Sequence, residues 1–206
     1  GEKMARLDGS FFLRDTVETA RDLLGRYLVR ETEKGRIVCR VTETEAYVGA
    51  VDKACHAYGG RMTERTRTLY GPPGTIYVYM IYGMYHCLNV VTEEEGTAAA
   101  VLIRGGEMVY GQELAARYRF GVSYESLTTA KRRIFSDGPG KLCKALCIDR
   151  LLNNLPAASS PLYFVDELPD LSLEKRPANL PVHTGKRIGI DYAQEAADFP
   201  WRFWLG

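Results

Sequence analysis

The run Tyr77-Val-Tyr79-Met-Ile-Tyr82-Gly-Met-Tyr85-His86-Cys-Leu-Asn89 puts four tyrosines, a histidine and an asparagine into thirteen residues. An ordinary buried strand would fill such positions with Val, Ile and Leu. Tyrosine brings a flat π face and a polar tip, and a buried hydroxyl must find a partner. Strand residues alternate between faces, so Tyr77, Tyr79 and Ile81 share one side and Val78, Met80 and Tyr82 the other. Gly83 follows Tyr82, which places Tyr82 at a turn tip, where an aromatic ring is a candidate wedge into a base stack. The run reads either as a platform for a flat ring or as a core strand with hydroxyls at its rim.

Thirty residues upstream, Val41-Thr-Glu43-Thr-Glu45-Ala-Tyr47 reads as a strand with Val41, Glu43, Glu45 and Tyr47 on one side. Carboxylates at i and i+2 lie about 7 Å apart. Partial burial and a neighbouring like charge raise the pKa of one of them, which suits a general base. The competing reading is a solvated polar strand face. His56, in Cys55-His56-Ala-Tyr58, is either a polar loop residue or one wall of a stacking slot. His86 and His183 complete three scattered histidines without metal-ligand spacing.

The five cysteines have no C-x-x-C spacing, so a disulfide framework is not expected and a reducing compartment fits. Cys143 and Cys147, one helical turn apart, read as core residues rather than metal ligands. Net charge is only +1, so contact with nucleic acid would need local patches. Candidates are the loop with Arg61, Arg65 and Arg67, the Lys131-Arg132-Arg133 cluster, and Lys141 with Lys144; taken singly, each reads as solvated surface. No apolar stretch reaches membrane-spanning length, and the opening residues carry no secretory h-region.

Asp15 and Glu18 read as a capping box opening a helix that Gly25 ends. Strands are expected at 27–32 and 36–48 around the turn Glu33-Lys34-Gly35, then at 75–81, 85–92 and 97–104. The stretch 51–74 between them is a long polar loop. Helices are expected over 108–120, 127–135 and, opened by Pro139 at N1, 139–146. A strand at 162–165 and closing strands at 187–190 and 202–205 follow. Strands precede helices rather than alternating with them, which favours an α+β domain with a mostly antiparallel curved sheet flanked by helices. Residues 1–206 read as one domain, with 1–6 a disordered or cloning-derived leader.

Together these segments resemble the alkyladenine (3-methyladenine) DNA glycosylases, the purine-excising enzymes of base-excision repair. The strings that carry the resemblance are Val-Thr-Glu-Thr-Glu45-Ala-Tyr47-Val-Gly, Ala-Cys-His56-Ala-Tyr-Gly-Gly-Arg61, Pro-Gly-Thr-Ile-Tyr77 through Asn89, Val-Leu-Ile-Arg104, Gly138-Pro-Gly-Lys141-Leu-Cys-Lys-Ala-Leu and Arg187-Ile188-Gly-Ile. They run in order from about Leu7 to the C-terminus. The resemblance implies a methylpurine-DNA-glycosylase-like fold and a role for each site residue. Glu45 is the general base for water attack on C1′ of an extruded deoxynucleotide, and Arg104 and the Ile188 carbonyl help hold that water. Tyr47 stacks on one face of the base, with His56 and Tyr79 as further walls. Tyr82 fills the gap in the duplex, and Asn89 crowds the 2-amino group of guanine. Glu43 is at most a tuner, which turns the two-carboxylate idea into a one-base mechanism.

The same resemblance implies duplex DNA carrying alkylated or deaminated purines as partner, a monomer, and a cytoplasmic location (on the nucleoid in a bacterium; nuclear in a eukaryote). No lysine holds a nucleophile position in the matched strings, so neither a Schiff base, a lyase step nor a cofactor is expected. Flipping costs a few kcal/mol and stacking returns about 1–3 kcal/mol per base. Alkylated purines gain further through a cation–π contribution. Arg61, Arg65 and Lys141 are the candidate contacts to the DNA backbone. Two other readings stand beside this one: a non-catalytic binder of damaged or single-stranded nucleic acid, and a carbohydrate hydrolase using Glu43 and Glu45 as a pair.

Overall fold

Strand β2 (Gly35–Val48) is the spine of the molecule. The computed structural model describes residues 5–206, and the reading of residues 1–4 as a leader lies outside them. Arg6, assigned to the leader on sequence, bridges to Val165, and its guanidinium lies 3.7 Å from the Tyr163 ring centroid. The chain forms α1 (Gly9–Phe12), α2 (Thr16–Leu23), β1 (Tyr27–Thr32), β2, β3 (Ile76–Ile81), β4 (Tyr85–Thr92) and β5 (Ala99–Tyr110). It continues through α3 (Gln112–Phe120), α4 (Thr129–Arg133), α5 (Pro139–Ala145), β6 (Leu162–Val165), β7 (His183–Gly185) and β8 (Arg202–Trp204). The sheet runs β3-β4-β5-β2-β1-β6, and its strand pairs are antiparallel. One edge of β2 pairs with β5. The other pairs with β1 as far as Arg40 and with β8 from Glu43 onward. This is the α+β, antiparallel architecture read from the sequence.

A bulge in β2 decides which residues face the site. Val41 pairs with Gly106 and Glu43 with Gly105, so Thr42 is an extra residue. Thr44 then pairs with Ile103, so Arg104 is extra on β5. Each bulge turns its strand locally. Before it, Ile37, Cys39 and Val41 enter the main core; after it, Ala46 does, while Thr44 is buried and donates to the Ala20 carbonyl of α2. Val41 is therefore not on the face of Glu43, Glu45 and Tyr47, as strict alternation predicted.

The main core lies between one sheet face and the helices, with Leu23, Leu88, Ile103, Leu142 and Phe203 fully buried. Each such side chain contributes about 1.5–3 kcal/mol relative to exposure. Asp15 caps α2 by accepting the Glu18 amide at 3.0 Å. Gly25 follows at φ +82°, and its N–H goes into the sheet, to the Val41 carbonyl.

Three expectations change. The helix predicted over 108–120 starts only at Gln112, because β5 continues to Tyr110 and Gly111 turns the chain at φ +78°. A Cβ at Gly111 would lie 2.3 Å from the Arg36 carbonyl oxygen. The helix predicted over 127–135 shortens to α4. No strand forms at 187–190: the Ile188 N–H is taken by a side chain and Gly189 stands at φ +75°, so the pairing strand is β7 instead. The loop 51–74 is built on short 3-10 turns.

Candidate active site

On the face away from the helices, a smaller cluster of Leu69, Tyr77, Val91 and Ala100 supports a cavity of about 310 Å³. Tyr77, Tyr79 and Ile81 line it from β3, Cys87 and Asn89 from β4, Leu102 and Arg104 from β5, and Tyr47 from β2. His56 and Ile188 come from loops and Tyr192 from a 3-10 segment. The volume and aromatic lining suit a flat heterocycle.

Glu45 lies beneath Tyr47, Arg104 and Ile188 and is 0% exposed. Its Oε1 accepts the Tyr47 hydroxyl at 2.7 Å, and its Oε2 accepts the Ile188 amide at 2.7 Å. Arg104 Nη1 is 3.8 Å from Oε1. Burial pushes the Glu45 carboxyl above the usual range; Arg104, the Ile188 N–H and the Tyr47 hydroxyl oppose it, and Glu43 adds to it. Each carboxylate oxygen keeps a further lone pair. The Ile188 amide ties its loop to Glu45, beside the carbonyl expected to help hold the water.

Glu43 is spent differently. Arg202 Nε pairs with its Oε2, and Arg104 Nε lies 3.5 Å from the same oxygen. Arg104 thus sits between the two carboxylates, and its Nε has no hydrogen-bond acceptor among the described residues.

The aromatic walls brace one another. The rings of His56 and Tyr79 meet edge to face at 4.7 Å, and those of Tyr77 and Tyr79 lie 5.2 Å apart. His56 Nδ1 is 3.1 Å from the Tyr77 hydroxyl. Burial pulls the His56 pKa down to about 4, with repulsion from Arg65 adding to it, so the ring is neutral at pH 7. Arg65 lies over the Tyr79 ring at 4.8 Å. Asn89 is buried and donates to the Tyr77 carbonyl at 3.3 Å, which fixes the orientation of its carboxamide.

Tyr82 is 88% exposed. It and Gly83 have φ of +51° and +65°, and the Met84 N–H donates to the Ile81 carbonyl, as a type I′ turn requires. The hairpin lifts the Tyr82 ring at the cavity rim. Arg61 and Arg65 flank a second cleft that shares His56 and Tyr192 with the first. Lys141 stands on α5 and pairs with Asp137 at 3.0 Å, while Pro139 of that helix reaches the cavity. His86 and Lys144 line a separate hollow beside Tyr85.

Sequence reading missed Asp52 and gave Arg187 no role. They form a bidentate ion pair at 2.6 and 2.9 Å with both side chains fully buried. An aspartate within a Gly-Ala-Val-Asp turn was the only local signal. Tyr192, 67% exposed at the rim, gave none.

A family model described as methylpurine-DNA glycosylase (MPG) matches residues 10–206. A Clostridium perfringens (strain 13 / Type A) protein is 50% identical over 200 residues, covering 97% of this chain and 95% of its own. One from Desulfitobacterium hafniense (strain Y51) is 48% identical over 202 residues, with 98% and 96% covered. One from Methanocella arvoryzae is 46% identical over 201 residues, with 98% and 92% covered. All three bear the name "Putative 3-methyladenine DNA glycosylase". With a match over almost its whole length and relatives near half identity from end to end, the chain belongs to the methylpurine-DNA glycosylase family.

Proposed function

We propose that this protein removes damaged purines, of the 3-methyladenine, 7-methylguanine, hypoxanthine and ethenoadenine class, from duplex DNA and leaves an abasic site. The observation that carries this reading is Glu45, a fully buried carboxylate with a raised pKa, held beneath an aromatic cavity of the size of a base. Water between Glu45 and the sugar loses its proton to the carboxylate as it attacks C1′, and the C1′–N bond breaks with the electrons leaving on the purine. The Arg104 guanidinium and the Glu45 carboxylate flank the reacting centre.

Tyr47, Tyr79 and His56 enclose the base, and a neutral His56 suits a cationic alkylpurine better than an imidazolium would. Asn89 limits the space beside a guanine 2-amino group. Tyr82 occupies the gap left in the stack, an exchange that offsets part of the flipping cost of a few kcal/mol. Arg61, Arg65 and Lys141 bind phosphates, so affinity falls with salt. The enzyme works as a monomer without a cofactor or lyase step. Its place is with the DNA: the cytoplasm and nucleoid of a bacterium, or a nucleus. Among the described residues no helix is long and apolar enough to cross a membrane.

Glu45→Gln keeps the shape and removes the base. It is expected to bind a hypoxanthine or 3-methyladenine duplex and release nothing. Excision at the wild-type rate by that variant would remove Glu45 from the mechanism, and binding without release by the wild type would favour a damage-binding protein.

A further inference from the structure

Resting on the reading of Glu45 as the base, we propose that the buried Asp52–Arg187 ion pair is a positioning clamp that sets the Glu45 carboxylate by holding the backbone on both sides of it. Arg187 Nη1 donates to Asp52 Oδ2 and, at 2.9 Å, to the Ala46 carbonyl. Nη2 donates to Asp52 Oδ1 and, at 3.0 Å, to the Ala196 carbonyl. Asp52 in turn accepts the Val48 and Ala54 amides at 2.9 and 3.0 Å. Ala46 follows Glu45 directly, and Ile188, whose amide binds Glu45 Oε2, follows Arg187 directly. One guanidinium therefore fixes the strand that carries the base and the loop that hydrogen-bonds it.

The guanidinium also lies 4.9 Å from the Tyr47 ring centroid and 5.0 Å from that of Trp201. Tyr47 donates to the other oxygen of Glu45. Among the described residues, both atoms that donate to the carboxylate at hydrogen-bond distance, the Tyr47 hydroxyl and the Ile188 amide, are thus braced by Arg187. A fully buried ion pair is poor at adding stability, because desolvation of both charges opposes their attraction. The planar fork of arginine, by contrast, fixes geometry in a way a lysine ammonium does not. Among the described residues Arg187 Nε has no acceptor, so the two Nη groups and the ring contacts set the orientation. A displacement of about 1 Å in a catalytic group costs about 10²-fold in rate.

The test is single-turnover excision of hypoxanthine from duplex DNA by Asp52→Asn and Arg187→Lys, with duplex affinity, melting and the pH profile measured beside it. The groups facing Glu45 are Glu43 and Tyr47 on β2, Cys87 on β4, Arg104 on β5 and Arg202 on β8. None of them is altered in either variant. Duplex affinity, set chiefly by phosphate contacts, should stay within about threefold of wild type. The chemical step should fall by about 10²-fold. The acid limb should move to higher pH, because a carboxylate that loses the Ile188 N–H binds its proton more tightly.

A natively folded variant with an unchanged chemical step and an unmoved acid limb would overturn the clamp. So would affinity and rate falling together with the limb unmoved, the mark of a lost folded fraction. If Asp52→Asn does not fold, Arg187→Lys carries the same readouts; loss of cooperative melting in both would assign the pair to folding alone. Glu45→Gln separates the two readings: excision retained there removes the base itself, whereas excision lost there with a normal Asp52→Asn removes only the clamp.

Discussion

The Tyr47 hydroxyl donates to Glu45 Oε1 across 2.7 Å, so one wall of the cavity and the carboxylate beneath it are a single hydrogen-bonded unit. A donor to a carboxylate favours its charged form. Tyr47→Phe keeps the ring and removes the donor. The Glu45 pKa should rise further, moving the acid limb of excision to higher pH while duplex affinity stays near wild type. Hydrogen bonds to charged groups are worth about 1.5–3 kcal/mol, so the rate below the limb should drop by about tenfold or more. A pH–rate profile of the variant checks the direction.

The turn at Tyr82 separates stability from function. Its ring is exposed and its backbone is left-handed, a conformation that glycine adopts without steric cost. Tyr82→Gly should leave the melting temperature unchanged or raise stability by up to about 1 kcal/mol. Excision from duplex DNA should fall by about 10- to 10²-fold, in line with the few kcal/mol of unstacking that the wedge offsets. Excision from a single strand, where there is no gap to fill, should change far less.

The strands of the hairpins were legible because alternation and turn residues are local signals: β1, β2, β3, β4 and β6 lie within a residue of their expected bounds. That Tyr77 and Tyr79 share a face followed from the same alternation, and both line the cavity. What local pattern hid was the bulge. Thr42 has the chemistry of an ordinary strand residue, and only the pairing with β5 shows it to be extra. Alternation therefore put Val41 on the wrong face, although Glu43, Glu45 and Tyr47 do share one. The Asp52–Arg187 pair was hidden for a related reason: its partners are 135 residues apart, and burial of a charge is a property of the fold. Removing Thr42 tests this. Val41 and Glu43 already oppose the consecutive residues Gly106 and Gly105, so without Thr42 the register with β5 should close and Glu45 should keep its face; cooperative melting should survive, and its loss would contradict the reading of Thr42 as the extra residue.

His56 offers a titration. Its pKa is pulled down to about 4, chiefly by burial and secondarily by Arg65. The ring should stay neutral on acidification until about pH 4, as followed by imidazole nitrogen shifts. Arg65→Ala should raise the midpoint only part of the way to the ordinary histidine value, because the larger cause remains. Since the folded pKa lies below the unfolded one, this group adds stability above the unfolded value of 6.5 and loses it as pH falls toward about 4.

Glu45 has the opposite sign. Burial raises its folded pKa above the unfolded value, so its favourable contribution is present at low pH and is lost as pH rises through the folded pKa. Above that point the folded state carries a buried charge that Arg104, Tyr47 and the Ile188 amide only partly offset. Glu45→Gln should therefore melt higher than wild type at alkaline pH, and the advantage should shrink as pH falls and Glu45 becomes protonated. A gain of about 1 kcal/mol would appear as about 2–4 °C. The variant that loses excision would be the more stable protein, as expected where a site keeps a desolvated charge for its chemistry. Equal melting temperatures for the two proteins at every pH would mean that burial does not raise the pKa of this carboxylate.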